Sequence, residues 1–219
     1  MLFANREQAA RRLAERLAGY RGRNPLILAI PRGAVPMGKV LAEALGGELD
    51  IALVRKIGAP GNPEFALGSV AENGEIVVRE WARSSGIPED YIEREARRQL
   101  ATLMERRRLY TPGRHAVDVA GRVVIVLDDG VATGSTMLAA LELARTRGPR
   151  RLIAATAVAP RQTLERLRSA ADEVVCLASP DPFQAVSLFF DDFSQVSDRE
   201  VIDILAADHE RTAVPAGAS

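Results

Sequence analysis

The chain has 219 residues, enough at about 150 residues per domain for one large domain that buries roughly 70 % of its unfolded surface without a disulfide or metal staple. Its 29 Lys+Arg balance 29 Asp+Glu, which excludes the bulk polycation of a general nucleic-acid binder. The single Cys176 excludes an internal disulfide and points to a reducing, cytoplasmic setting, and no apolar run approaches the roughly 18 residues of a membrane span. All but two of the cations are Arg; Lys39 and Lys56 are the exceptions.

The opening MLFANREQAARR lacks an apolar signal core, so secretion is not expected. Asn5 predicts the cap of a first helix, with Gln8 three residues on, Ala9, Leu13 and Leu17 along one face and Gly19 at its end. A strand LILAI (26–30), a loop PRGAVPMG, a helix from about Val35 to Leu45 stopped by Gly46 and Gly47, and a strand LDIALV (49–54) follow. Between Arg55 and Gly121 the alternation breaks. IGAPGNPE reads as loop, FALGSVA and EIVVR as short strands around a Glu72-Asn73-Gly74 turn, and a charged helix follows Pro88 from about Glu89 to Arg108.

The alternation then resumes with strands at 123–127, 151–159 and 173–177 and helices from about Gly134 to Arg147 and Gln162 to Ser169. These strands are continuous Val/Ile/Leu/Ala runs, as expected of a parallel sheet buried on both faces. Phe183, Phe189, Phe190 and Phe193 cluster before a helix capped by Ser197 with Glu200 at its third position, and a small-residue tail, AVPAGAS, is expected to fray. The whole reads as a single domain over 1–219, with a core at about 22–57 and 119–180 and two flanking insertions, one of loop and helix at about 58–118 and one that ends in a helix at about 181–212. Covering and specificity are expected from the two insertions.

Chemistry concentrates in VVIVLDDGVATGSTM, Val123 to Met137. A buried strand delivers Asp128 and Asp129 to the carboxyl end of the sheet, where ligands of open α/β folds bind. Thr133, Gly134, Ser135 and Thr136 then offer N–H groups and hydroxyls at a helix N-terminus suited to a phosphate. Carboxylates beside an anion cradle fit a ligand whose vicinal hydroxyls lie near its phosphate.

This stretch resembles the phosphoribosyl pyrophosphate (PRPP) motif of type I phosphoribosyltransferases, four hydrophobic residues, two acids and a Thr-Gly turn. PRG at 31–33 resembles the family's pyrophosphate loop, and VRKIG at 54–58 the strand end entering its flexible loop. The resemblance implies a three-layer α/β/α parallel-sheet core with a flexible loop or hairpin insertion and a small hood. It implies that Asp128 and Asp129 hold the ribose hydroxyls and offset transition-state charge, and that Ala132, Thr133, Gly134, Ser135 and Thr136 hold the 5′-phosphate. Arg32 and Gly33, with Lys56 or Arg55 nearby, would hold pyrophosphate. Mg²⁺ would be bound mainly through PRPP, with Asp128 or Asp129 reaching it through water, and no residue is assigned as a direct metal ligand. The implied activity is transfer of phosphoribose to a nitrogen acceptor of the nucleobase type, in nucleotide metabolism, with PRPP and the acceptor as partners, neither membrane nor nucleic acid among them, and a homodimer left open. Ala132 stands where the hypoxanthine-guanine branch has a purine-contacting Asp. The pattern as a whole is most similar to the uncharacterised bacterial and archaeal members.

Two other functions stay open at this point: a PRPP-sensing regulator on the same fold, and a P-loop NTPase, because GAVPMGKV (33–40) fits G-x-x-x-x-G-K. Against the latter, Val40 replaces the Mg²⁺-binding hydroxyl and Pro36 removes an N–H from the cradle. Adjacent acids at a strand end also serve as Mg²⁺ sites in phosphatase-like or receiver domains, but the Thr-Gly turn favours the sugar-phosphate. Asp191 and Asp192 read as a solvated loop, Lys39 and the Arg-rich helix as solvated faces, the Phe cluster as core and Cys176 as a small buried hydrophobe. His115 and His209 sit outside any motif, and no general base is assigned.

Overall fold

The computed structural model describes residues 1–213, except for the side chains of Pro63 and Glu64. Of the tail expected to fray, residues 214–219 lie outside the described residues. Five strands, β1 (Leu26–Ala29), β2 (Glu48–Ile51), β6 (Val123–Asp128), β7 (Arg151–Val158) and β8 (Glu173–Ala178), form a parallel sheet in the order β2-β1-β6-β7-β8. Its central register sets Ala29 beside Leu127 and Asp128 beside Thr156, which puts the Pro31–Gly33 loop next to the acids.

The lack of period-two alternation has the expected cause. Ile27, Ala29, Ile125, Leu127 and Ile153 pack into one layer, with α1 (Arg6–Arg16), α2 (Ala34–Leu45) and α7 (Asp198–Ala213). Leu26, Leu28, Val124, Val126 and Leu152 pack into the opposite layer, with α5 (Ser135–Thr146) and α6 (Arg161–Arg168). Each such Leu or Ile contributes about 1.5–3 kcal/mol by leaving water, so both faces of the central strands must be apolar. Among the described residues no helix is long and apolar enough to cross a membrane.

The expected strand over 49–54 divides. The parallel ladder ends where Ala52 N–H donates to Ala29 O (2.9 Å), and Val54 opens an antiparallel strand paired with Ala71. The stretch read as loop, 57–64, is likewise ordered, into the end of β3 (Val54–Ala59) and the start of β4 (Asn62–Ala71); FALGSVA and EIVVR, read as strands around Glu72-Asn73-Gly74, supply the rest of β4 and β5 (Ile76–Val78), completing a second, three-stranded sheet. Gly61, at φ +72°, supplies the tight turn between β3 and β4. Its Gly-Pro composition carries no pairing signal; the order comes from the β4 ladder and from packing against α4 (Glu89–Tyr110) and α5. A short α3 (Glu80–Arg83) links β5 to α4.

The outer face of α4 is laced with Arg94–Asp90 and Arg97–Glu93 pairs, as a solvated helix should be. Arg107 departs from that reading, because it is buried between Asp50 of β2 and Glu72 of the β4–β5 turn. The hood also differs from expectation in being built from both ends of the chain. Phe3 bridges Phe190 in parallel, Leu2 and Phe3 N–H both donate to Phe189 O, and Asp191 N–H donates to Phe3 O (2.9 Å). Phe190 is core, stacked between Phe3 and Phe193.

Candidate functional site

The last residue of β6 and its successor, Asp128 and Asp129, stand at the carboxyl end of the sheet beside a cleft of about 420 Å³. The cleft is lined by Arg6, Arg32, Gly33, Asp129, Val186 and Phe193, with Gln195 and Val196 at the hood. Asp128 is half-buried and its Oδ1 accepts the N–H of Asp129 (3.0 Å), while Asp129 is buried and its Oδ2 accepts Arg6 Nε (2.7 Å). Burial pushes both carboxyls above the ordinary Asp range. Asp128 goes further because it also feels the Asp129 charge, whereas Arg6 offsets part of the burial of Asp129. Each remains an acceptor for a ligand hydroxyl when ionised.

The Pro31–Gly33 loop comes close enough that residue 33 has no room for a side chain. A Cβ on Gly33 would stand 2.1 Å from Asp129 Oδ2 and 3.3 Å from Arg6 Nη2. The Pro31–Arg32 peptide is cis. Arg32 Nη1 lies 3.6 Å from Asp198 Oδ1 at the start of α7, and that oxygen also accepts Tyr110 Oη (2.7 Å). Burial and then Asp198 push the Tyr110 phenol up to about 12, so it stays a donor at neutral pH.

On the other side of the acids, Ala132 to Thr136 form the entry to α5. Gly134, at φ +78°, turns the chain, and its missing Cβ would meet Thr163 Cγ2 at 2.8 Å. The turn is pinned from α6, where Thr163 Oγ1 donates to Ala132 O (2.6 Å) and Arg166 Nη1 to Thr133 O (3.0 Å). Those bonds consume carbonyls. The first-turn N–H groups of α5, which no helix can satisfy internally, stay directed at the space before it, and Ala132, Thr133 and Thr136 are exposed there.

The structure thus brings together Asp128, Asp129, Arg32, Gly33 and, through the β6–α5 connection, residues 132–136. Arg55 and Lys56 do not line the cleft. The Glu95 carboxyl of α4 is lowered chiefly by its hydrogen bond from Arg98, and Arg55 lies close enough to add a small share; Lys56 stands half-buried opposite Ser69 of β4. Lys39 is exposed on α2, as expected of a solvated residue. Asp191 and Asp192 are an exposed turn in which Asp192 Oδ1 accepts Ser194 N–H (2.9 Å). Neither His115 nor His209 reaches the cleft; both line a separate cavity of about 230 Å³ beside β2, α4 and α7.

Arg6 is the site residue that sequence reasoning missed. No sequence motif marks it, since an Arg in the first turn of a helix is ordinarily solvated, but the hood folds over it. Its Nη1 donates to Ser194 O (2.7 Å), and its guanidinium carbon lies 3.8 Å from the centroid of the Phe193 ring. Asn5, the residue before it, caps α1 through an Oδ1 that accepts Gln8 N–H (2.9 Å), and so sets Arg6 as the first residue of the helix.

Fold and site define a parallel α/β protein with paired carboxylates, a close-packed loop and a helix N-terminus converging on one end of its sheet. The chain belongs to the phosphoribosyl transferase domain family, whose model matches residues 1–191, and the P-loop NTPase reading is thereby overturned. It is 38 % identical over 209 residues to a protein of Mycobacterium tuberculosis, in strains CDC 1551 and H37Rv, described as a "putative phosphoribosyl transferase". The match takes in 95 % of this chain but 47 % of those proteins, so the chain spans about half the length of the curated relatives it matches. The crystal structure of TT1426 from Thermus thermophilus superposes with a TM-score of 0.88 at 45 % identity, covering 94 % of this chain and 99 % of that one.

Proposed function

We propose that the protein binds PRPP with Mg²⁺ and transfers its phosphoribose to a nitrogen nucleophile of the nucleobase type, releasing pyrophosphate. The observation that carries this reading is the convergence of three groups at one end of the sheet: the Asp128–Asp129 pair, the Gly33 backbone against Asp129, and the α5 N-terminus. In it the acids accept the ribose hydroxyls, the α5 entry takes the 5′-phosphate, and Arg32 with the Gly33 backbone takes pyrophosphate.

The C1–O bond to pyrophosphate breaks, its electron pair leaving with the pyrophosphate, and a C1–N bond to the acceptor forms, the acceptor's proton passing to water. Positive charge grows on the ribose ring in between, and the ionised Asp128–Asp129 pair offsets it from a partly desolvated position. Among the described residues no group of three or more acid, His or Cys side chains is arranged to hold a metal. Two adjacent carboxylates suit an ion held chiefly by the ligand. Asp128 or Asp129 would reach Mg²⁺ on the pyrophosphate through water, and that ion supplies charge neutralisation of the leaving group when bound.

In this reading the acceptor enters the cleft beside Val186, Phe193 and Val196, whose apolar side chains offer a face to a heterocyclic ring. Calorimetry of PRPP·Mg²⁺ against Asp128→Asn/Asp129→Asn tests the ribose assignment. Binding is expected to vanish with the fold intact, and unchanged affinity overturns it. Pyrophosphate release across a panel of heterocyclic bases tests transfer. Tight PRPP binding with no release from any base would make the protein a PRPP sensor instead.

A further inference from the structure

We infer that Arg6 is a leaving-group residue whose Nη2 donates to the pyrophosphate of bound PRPP, adding a second cation, from the N-terminal helix, to Arg32 and the Gly33 backbone of the Pro31–Gly33 loop; the inference rests on the PRPP reading above. The first observation is desolvation. Arg6 lies in the first turn of a helix, where an Arg side chain is ordinarily solvated, yet its side chain is only 13 % exposed.

The second is how its donors are spent. Nε is committed to Asp129, Nη1 to Ser194 O, and the Phe193 ring covers one face, which together fix the guanidinium plane. Among the described residues no hydrogen bond involves Nη2, and this nitrogen lies 3.3 Å from the position a Gly33 Cβ would take. Orienting Asp129 needs only Nε. The remaining donor stands beside the loop assigned to pyrophosphate and lines the same cleft as Arg32.

The ligand's own connectivity supplies the third step. In PRPP the carbon that loses pyrophosphate is bonded to the carbon carrying the 2-hydroxyl, so a ligand with hydroxyls on Asp128–Asp129 and pyrophosphate at Gly33 has its breaking bond between those groups. Arg6 touches the first and flanks the second. As the C1–O bond breaks, negative charge grows on the departing oxygen, and a fixed, already desolvated N–H donor stabilises it without rearranging.

The test is calorimetry with three probes, pyrophosphate without metal (so that no water-bridged Mg²⁺ contact to Asp128 or Asp129 enters), ribose 5-phosphate and PRPP·Mg²⁺, on wild type, Arg6→Gln and Arg6→Lys. Loss of a charged hydrogen bond predicts that Arg6→Gln weakens pyrophosphate alone by about tenfold or more, with PRPP weakened at least as much. Arg6→Lys, which keeps the charge but not the fork, should recover part of that loss, and it serves in place of Arg6→Gln if the latter fails to fold. Pyrophosphate carries no hydroxyl for Asp129, so this readout is blind to an Arg6 that merely positions the carboxylate. If ribose 5-phosphate is weakened while pyrophosphate affinity stays within about twofold, the inference is overturned and Arg6 is only a positioning residue. If the wild type binds none of the probes, the PRPP reading itself fails, and the inference with it.

Discussion

Two clusters in this molecule have the same composition, two carboxylates and one arginine, and opposite character. In the first, Arg107 is spent completely: Nη1 donates to Asp50 Oδ1 (2.5 Å) and Thr111 Oγ1 (3.3 Å), Nη2 donates to Ile51 O (3.3 Å), and Nε and Nη2 both bond Glu72. Asp50 is equally committed, accepting Ile51 N–H (2.8 Å) and Val117 N–H (2.9 Å) as well. In the second, Arg6 holds one oxygen of Asp129 and keeps a donor in reserve, Asp128 has a single backbone N–H for support, and a cleft opens in front of them. The saturated cluster ties the β4–β5 turn to β2 and α4 and leaves nothing for a ligand. Burial and charge alone therefore do not mark a site; unspent hydrogen-bonding capacity facing a cleft does.

The comparison breaks most visibly at Arg107. Arg107→Met strands two buried carboxylates and should cost about 3–5 kcal/mol in denaturant unfolding, with PRPP affinity nearly unchanged below the transition. Burial already raises the Glu72 carboxyl, Arg107 opposing it, so the charged form is the unfavourable one in the fold. The deficit should shrink as pH falls through that raised value towards the ordinary carboxylate range, and a deficit independent of pH would argue against the buried-charge account. Gly33→Ala is next. Its Cβ cannot share space with Asp129 Oδ2, so roughly 1–3 kcal/mol of stability and at least tenfold in PRPP affinity should be lost together, by thermal melts and calorimetry.

A milder change is Asn5→Ala, which removes the cap of α1. About 1 kcal/mol of stability should go, with a few-fold loss of pyrophosphate affinity as Arg6 loosens, whereas no effect on affinity would separate Arg6 from the site. The smallest is a pH slope. Because the Asp128–Asp129 pair is raised and hydroxyls bind its ionised form, ribose 5-phosphate affinity should fall as pH drops through the pair's range. Phosphate titration contributes to that slope too, so the diagnostic is the part missing in Asp128→Asn.

The parallel core was legible because burial on both faces writes itself directly into composition. Runs such as VVIVL and LIAATAV can be nothing but doubly buried strands, and Gly134, with Thr133 and Ser135, marks where β6 must turn into α5. Helix α1 was legible too, from Asn5 and the spacing of Ala9 and Leu13. Of the second sheet, β4 and β5 around Glu72-Asn73-Gly74 were legible as FALGSVA and EIVVR, but the turn from β3 into β4 was not. Gly58, Gly61 and Pro63 carry a loop composition, and the order they acquire comes from the adjoining β3–β4 ladder and from packing against α4, which lies far along the chain. Arg107 was read with Arg106 and Arg108 as an exposed face, because a helix pattern shows which side is apolar but not which charge meets Asp50 and Glu72.

The opening balance of 29 cations and 29 acids said only that no polyanion surface was to be expected. By itself the sequence determined the strand–helix alternation, the two acids at the end of β6 and the small-residue turn after them, since these depend on contiguous residues and the periods of local structure. Arg32 apart, which few cations line the cleft was decided by tertiary structure. Arg6 becomes a site residue only when Phe3 and Phe190 bring the two ends of the chain together, and Arg55 leaves the cleft only when β3 pairs with β4. A charge acquires a role from what it faces, and what faces Arg6 lies 123 residues away at Asp129 and 188 away at Ser194.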